Sequence, residues 1–224
     1  MGMQYETVIG LEVHMQLATK QKAFCGCSTR FGATPNSQTC PFCLGQLGPL
    51  PQLNPEAVEH ALRAALALNC QVPAVATFDR KHYAAPDLPK GYQITQWRNP
   101  FGREGYLDIE VDGQMIRVPI KQVHLEEDAG RALQTEAGEI IDFNRAGIPL
   151  IEVVTPPVFR SAPAARAYLE ALQLLVRYLG VSDARIEEGS MRCELNISVR
   201  PRGSDTMGEL CEIKNIGSFS GVVA

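Results

Sequence analysis

The chain has 224 residues, 45% of them apolar, enough to bury a substantial core in one large domain or two small ones. A formal net charge of −4 and a pI near 5.6 provide no basic footprint, which excludes a domain that grips nucleic acid by its overall charge. The N-terminal MGMQYETVIG lacks the zones of a signal peptide, no apolar run approaches membrane-spanning length, and seven cysteines, four of them clustered, argue against a disulfide framework, so a soluble cytoplasmic protein is expected.

The first element is VIGLEVHMQL, residues 8–17, which alternates as a strand does. Ile9, Leu11, Val13, Met15 and Leu17 share one face, expected to be buried, and Glu12, His14 and Gln16 share the other. Next comes FCGCSTRFGATPNSQTCPFCLG, which pairs Cys25 and Cys27 with Cys40 and Cys43 across a Gly, Pro and Asn-containing loop. Two close pairs can meet tetrahedrally around one zinc ion, and four thiolates close the shell against water or substrate, so this zinc is read as a structural staple. The competing reading is four unrelated buried thiols. Cys70, Cys193 and Cys211 are expected to stand outside the site, the last two on buried strand faces.

LNPEAVEHALRAALALNC reads as a helix with Asn54 as N-cap, Pro55 at the first helical position, and Val58, Ala61, Leu62, Ala65 and Leu68 at helical spacing. FDRKHY supplies Lys81 and is followed by the turn-rich PDLPKGYQ. In GYLDIEVDGQMIRVPI, Asp112-Gly113 forms a two-residue hairpin turn. SAPAARAYLEALQLLVRYLG reads as a second helix, starting at Ser161 and stopping at Gly180. The expected fold class is α+β, an antiparallel sheet with flanking helices, in a single domain spanning 1–224 with the zinc loop inserted at about 24–45.

The opening alternation returns three times. VHLEED sets His124 and Glu126 against Val123 and Leu125. SMRCELNISVR sets Arg192, Glu194, Asn196, Ser198 and Arg200 against Met191, Cys193, Leu195, Ile197 and Val199. ELCEIKNI sets Glu212 and Lys214 against Cys211 and Ile213. For a single strand the simplest account is a solvated outer face. Four strands together would gather Glu12, Glu126, Glu194 and Glu212 at a repulsive cost unless positive charge sat among them. Hard divalent cations supply such charge through oxygen and imidazole ligands, and interspersed Lys and Arg suit phosphoryl transfer. The pattern therefore points to a metal and nucleotide face, although no P-loop and no G-x-G-x-x-G is present.

ETVIGLEVHMQL, FGATPN, FDRKHY, PDLPKGYQI, HLEEDAG, DFNRAGIPLIEVV, GVSDARIEEGSMRCELNISVRP and EIKNIGSF, in that order and across nearly the whole chain, resemble the successive blocks of the B subunit of tRNA-dependent amidotransferases. The resemblance implies a glutamine synthetase-like catalytic fold. It also implies ATP-dependent phosphorylation of the side-chain carboxylate of Glu-tRNA(Gln) or Asp-tRNA(Asn), followed by amidation with ammonia from a partner amidase (A) subunit in a complex with a small accessory (C) subunit. By the same resemblance Glu12, His14, Glu126 and Glu212 take the magnesium positions, with Glu126 and Glu212 also catalytic. Lys81 matches a lysine near the transferred phosphate, Arg192, Glu194, Asn196 and Lys214 are nucleotide-contact candidates, and Cys25, Cys27, Cys40 and Cys43 match a zinc site that some members have.

Three positions depart from the family pattern: Glu194 for Asp, Ala84-Ala85 for a bulkier aromatic pair, and Gly217 for Asn. Family members continue into helical and tail regions that hold tRNA, so the mischarged tRNA is expected to be gripped mainly outside this cradle. No membrane partner is expected. The alternatives are a zinc-stabilised scaffold that binds the amidase without catalysis, and a glutamine synthetase-like ligase acting on a free metabolite. Protein purified under reducing, chelator-free conditions should hold about one zinc per chain by metal analysis, and Cys40→Ser should lower its stability.

Overall fold

A computed structural model describes residues 4–136 and 138–223. In chain order the elements are β1 Tyr5–Gln16, α1 Pro55–Ala67, β2 Asp79–His82, β3 Tyr92–Thr95, β4 Gly102–Val111, β5 Gln114–Glu127, β6 Arg131–Thr135, β7 Gly138–Asp142, β8 Pro149–Val154, α2 Ala162–Tyr178, β9 Met191–Pro201 and β10 Cys211–Ile213. Six of the strands form one sheet in the order β10-β9-β1-β8-β5-β4. Every neighbouring pair in it is antiparallel. Two short ladders, β2-β3 and β6-β7, stand beside it. The result is a mixed α/β domain with two helices, and no helix among the described residues is long and apolar enough to cross a membrane.

The alternation of β1 places its apolar residues as expected, with Ile9, Leu11, Val13, Met15 and Leu17 all buried. They join the core that receives Ala57 and Ala61 from α1 and Tyr168, Leu169 and Leu172 from α2. Both helices therefore cover the greasy side of the sheet and leave the charged side free of them. Both helix starts are capped by the side chains expected: Asn54 Oδ1 accepts the Glu56 N–H at 2.9 Å and Ser161 Oγ accepts the Ala164 N–H at 3.4 Å. At the end of α2, Gly180 takes φ 68°, its N–H reaches the Arg177 carbonyl, and the Val181 N–H reaches the Val176 carbonyl, the paired bonds of a Schellman stop. Asp112 and Gly113, with φ 50° and 76°, join β4 to β5 in the left-handed geometry of a type I′ turn.

The far edge of the sheet departs from the sequence reading. Val199, Ile213 and Cys211 were expected on buried faces but are exposed. β10 is a three-residue strand paired to β9 alone, so its alternation runs along an edge that lies outside the helix-covered core.

At the opposite edge the end of α1 lies directly on β4. The Tyr106 N–H donates to the Leu68 carbonyl at 2.8 Å. A Cβ added at Gly105 would stand 2.4 Å from both the Leu68 oxygen and the Cys70 sulfur. Gly105→Ala should therefore destabilise the chain by about 2 kcal/mol or more, seen as a lowered melting temperature with unchanged far-UV circular dichroism.

Candidate functional site

Strand order and register assemble the polar face. Across β9, β1, β8 and β5 the cross-strand row reads Arg192, His14, Glu152, His124. The next row brings Glu194 opposite Glu12. Glu126, one step along the same face of β5 from His124, completes the group.

His14 Nε2 lies 3.5 Å from Glu126 Oε1 and 3.7 Å from Glu152 Oε2. One ligand atom from each of the three lies within 4.8 Å of the other two. His124 Nε2 lies 2.6 Å from Glu152 Oε2 and 3.5 Å from Glu126 Oε2. Thr95 Oγ1, from β3, donates to Glu126 Oε2 at 3.2 Å. Two carboxylates and an imidazole are a suitable donor set for a hard divalent cation.

Burial alone would push His124 down, but its hydrogen bonds with Glu126 and Glu152 outweigh that and lift it from 6.5 to about 9. Burial likewise works to raise Glu152, and the His124 hydrogen bond and charge, helped by His14, bring it down to about 2. Glu12 moves the other way, raised first by burial and then by the Glu152 charge. Asn196 Nδ2 steadies it by donating to Glu12 Oε1 at 2.9 Å. The Glu12 and Glu194 carboxylates, directly opposed across strands, are thus served by different neighbours, since Glu194 pairs with Lys214 Nζ at 3.1 Å.

The residues singled out in the sequence are distributed unevenly. Glu12, His14 and Glu126 converge. Glu212 does not join them: it sits opposite Asn196 on the edge strand, exposed, and pairs with Lys214 at 3.0 Å. Arg192 is clamped by the buried Asp128 carboxylate at 2.9 and 3.1 Å, with Arg145 Nε 3.7 Å from the same group. Lys81 lies on the face of the β2-β3 ladder that also carries Gln93 and Thr95. Its Nζ is 5.8 Å from the centre of the Tyr83 ring, and the Tyr83 hydroxyl is raised by burial first and then by Asp87, Glu126, Asp128 and Glu127.

Glu152, and with it Asp128, escaped the sequence reading. The available signal was a lone carboxylate inside the otherwise apolar strand PLIEVV, in the middle of a sheet. Cys25, Cys27, Cys40 and Cys43 do meet, each offering a sulfur within 4.8 Å of the others, so this cluster could hold a metal ion. Its loop has a small core of its own, in which Phe24, Phe42 and Cys43 pack with Ile94.

Fold and site together define a mixed α/β domain whose antiparallel sheet presents a carboxylate and imidazole centre able to hold a divalent cation. Residues 7–224 match the GatB/GatE catalytic domain family, and the chain belongs to that family. It is 52% identical over 221 residues to the B subunit of the aspartyl/glutamyl-tRNA(Asn/Gln) amidotransferase of Brevibacillus brevis, covering 98% of this chain and 46% of that protein. With the protein of the same name from Geobacter sulfurreducens it shares 54% identity over 222 residues, covering 97% and 46%. The chain thus spans about half the length of the curated relatives it matches.

The His124–Glu152 pair carries a pH signature in metal-free protein. His124 binds its proton more tightly when folded, so its contribution is complete below pH 6.5 and is lost as pH rises through about 9. Glu152 is more acidic when folded, so its contribution is present above 4.5 and is lost as pH falls through about 2. Thermal melts of wild type and His124→Gln should differ most between pH 4.5 and 6.5 and converge progressively as pH rises toward 9 or falls toward 2.

Proposed function

We propose that this chain is the carboxylate-activating domain of the B subunit of a tRNA-dependent amidotransferase, acting with ATP on Glu-tRNA(Gln), Asp-tRNA(Asn) or both. The observation that carries this reading is the convergence of His14, Glu126 and Glu152 on the uncovered face of the sheet. Such a set would hold Mg²⁺, which when bound supplies charge neutralisation and bracing for phosphate oxygens. A helix-backed antiparallel sheet with an open charged face also agrees with a glutamine synthetase-like fold.

In this reading His14, Glu126 and Glu152 are the metal ligands, and Glu12 stands beside them as a further oxygen donor. Glu212 belongs to the rim. Beyond Glu12 the same face continues into a groove of about 460 Å³ lined by residues including Val8, Gly10, Val154, Asn196 and Ser198. Its largely apolar walls suit a purine base. Asn196 thus borders both the groove and Glu12, while Lys214, just past β10, pairs with Glu194 of β9. Arg192, fixed by Asp128, adds cationic charge next to His14, and Lys81 is assigned to the transferred phosphoryl group.

The reaction follows from these roles. A side-chain carboxylate oxygen of the aminoacyl group takes the γ-phosphoryl from ATP, and ADP leaves. Ammonia then attacks the activated carbonyl carbon, inorganic phosphate leaves with the bonding pair, and the nitrogen sheds a proton to give the amide. The names of the relatives, which couple Asn with Gln, support both substrates. Ammonia would come from an amidase (A) subunit, with a small (C) subunit completing a cytoplasmic heterotrimer. The greater part of the tRNA grip is assigned to the remaining length of the relatives. Zinc is assigned to the four cysteines, in a structural role.

In the complete B subunit assembled with its amidase, Glu152→Gln and Glu12→Gln should each lower ATP-dependent amidation of Glu-tRNA(Gln) by about 100-fold or more, as expected when metal-borne stabilisation of several kcal/mol is lost. Glutamine hydrolysis by the amidase should continue. Full amidation by Glu152→Gln would refute the metal assignment.

A further inference from the structure

Lys22 is fully buried, among the largest side chains with no access to solvent. An ammonium taken out of water is costly unless an anion or a set of acceptors receives it. Among the described residues no carboxylate stands within ion-pair range of Lys22. Its Nζ instead donates to Cys43 Sγ at 3.6 Å and to the Phe143 carbonyl oxygen at 3.2 Å. The same sulfur accepts the Cys40 N–H at 3.1 Å.

The surroundings fix this lysine from both sides. Its own N–H donates to the Cys27 carbonyl at 3.0 Å, and the Ala23 N–H donates to the Gly147 carbonyl at 2.9 Å. Gly147, at φ 87°, packs against the lysine stem: an added Cβ would stand 3.5 Å from Lys22 Cδ, 3.9 Å from Cys43 Cβ and 3.7 Å from Glu127 Oε1, a carboxylate already paired with Lys90. Lys22 is therefore wedged between the cysteine loop and the turn at 143–147 that carries Arg145. Four thiolates bear two more negative charges than one divalent ion cancels, and such an excess inside a protein favours a cation at hydrogen-bonding distance from a ligand sulfur.

We propose that Lys22 is the outer-shell cation of the cysteine site, a positioning residue that hydrogen-bonds the Cys43 sulfur, offsets the thiolate charge and anchors the site to the 143–147 turn. This rests on the reading of the four cysteines as a zinc site, so zinc content of the wild-type chain is measured first. Zinc release to a chromophoric chelator then compares wild type with Lys22→Met, and the Met variant should retain zinc about 10- to 100-fold less tightly. In the cobalt(II)-substituted proteins the sulfur-to-metal charge-transfer band should move to lower energy in the variant while the tetrahedral d–d bands persist, a change that loss of packing alone would not produce. Lys22→Gln, which keeps an N–H but no charge, provides the same two readouts if the Met variant does not fold. Wild-type protein without zinc overturns both readings. Zinc held equally well by the variant with an unmoved charge-transfer band overturns the role of Lys22 and leaves the zinc site standing.

Discussion

Gathering carboxylates on one face of a sheet is the constraint on which the rest of this structure turns. Glu12, Glu194, Glu152 and Glu126 come from four strands, two of them directly opposed, and like charges at such spacing repel. Each is answered differently: Glu194 by Lys214, Glu12 by the Asn196 amide, and Glu152 and Glu126 by the two imidazoles. An amide brings no charge, and His124, lifted to about 9, sets a single positive charge against Glu152 and Glu126 together. Compensation is therefore weakest where Glu12, His14, Glu126 and Glu152 meet, and a cation has most to offer there.

Glu127, the neighbour of Glu126, shows how loops far apart in the chain serve the same strand end. Its carboxylate is buried, accepts the Ile94 N–H at 2.9 Å and pairs with Lys90. Lys90 in turn lies 4.8 Å from the centre of the Phe42 ring, beside Cys43 in the cysteine loop. A Cβ on Gly45 would come within 2.5 Å of the Pro89 oxygen, so the cysteine loop rests directly on the turn that presents Lys90. The loop thereby buttresses the position of β3, whose Thr95 reaches Glu126.

What the sequence disclosed was local. The period of two in β1, the caps Asn54 and Ser161, the stop at Gly180 and the Asp112-Gly113 turn each depend on a few adjacent residues, and each is found in the fold. The four polar faces were legible for the same reason. Their assembly was not, because it depends on strand order. Placing β8 between β1 and β5 brings Glu152 to the centre, whereas placing β10 beyond β9 leaves Glu212 at the rim. The run PLIEVV reads as an ordinary buried strand, and only its neighbours give its single carboxylate a meaning. Lys22 and Asp128 are hidden likewise, since a buried charge is recognised by partners distant in sequence.

The strand order has a consequence for synthesis on the ribosome. β1 emerges first and carries a row of apolar side chains, yet both of its partners, β8 and β9, lie well over a hundred residues downstream. At ordinary elongation rates that interval is on the order of ten seconds. For that time a strand with a continuous apolar row has neither edge paired, a situation that holding chaperones can cover and in which slowed translation between β1 and β8 would lengthen its exposure to aggregation.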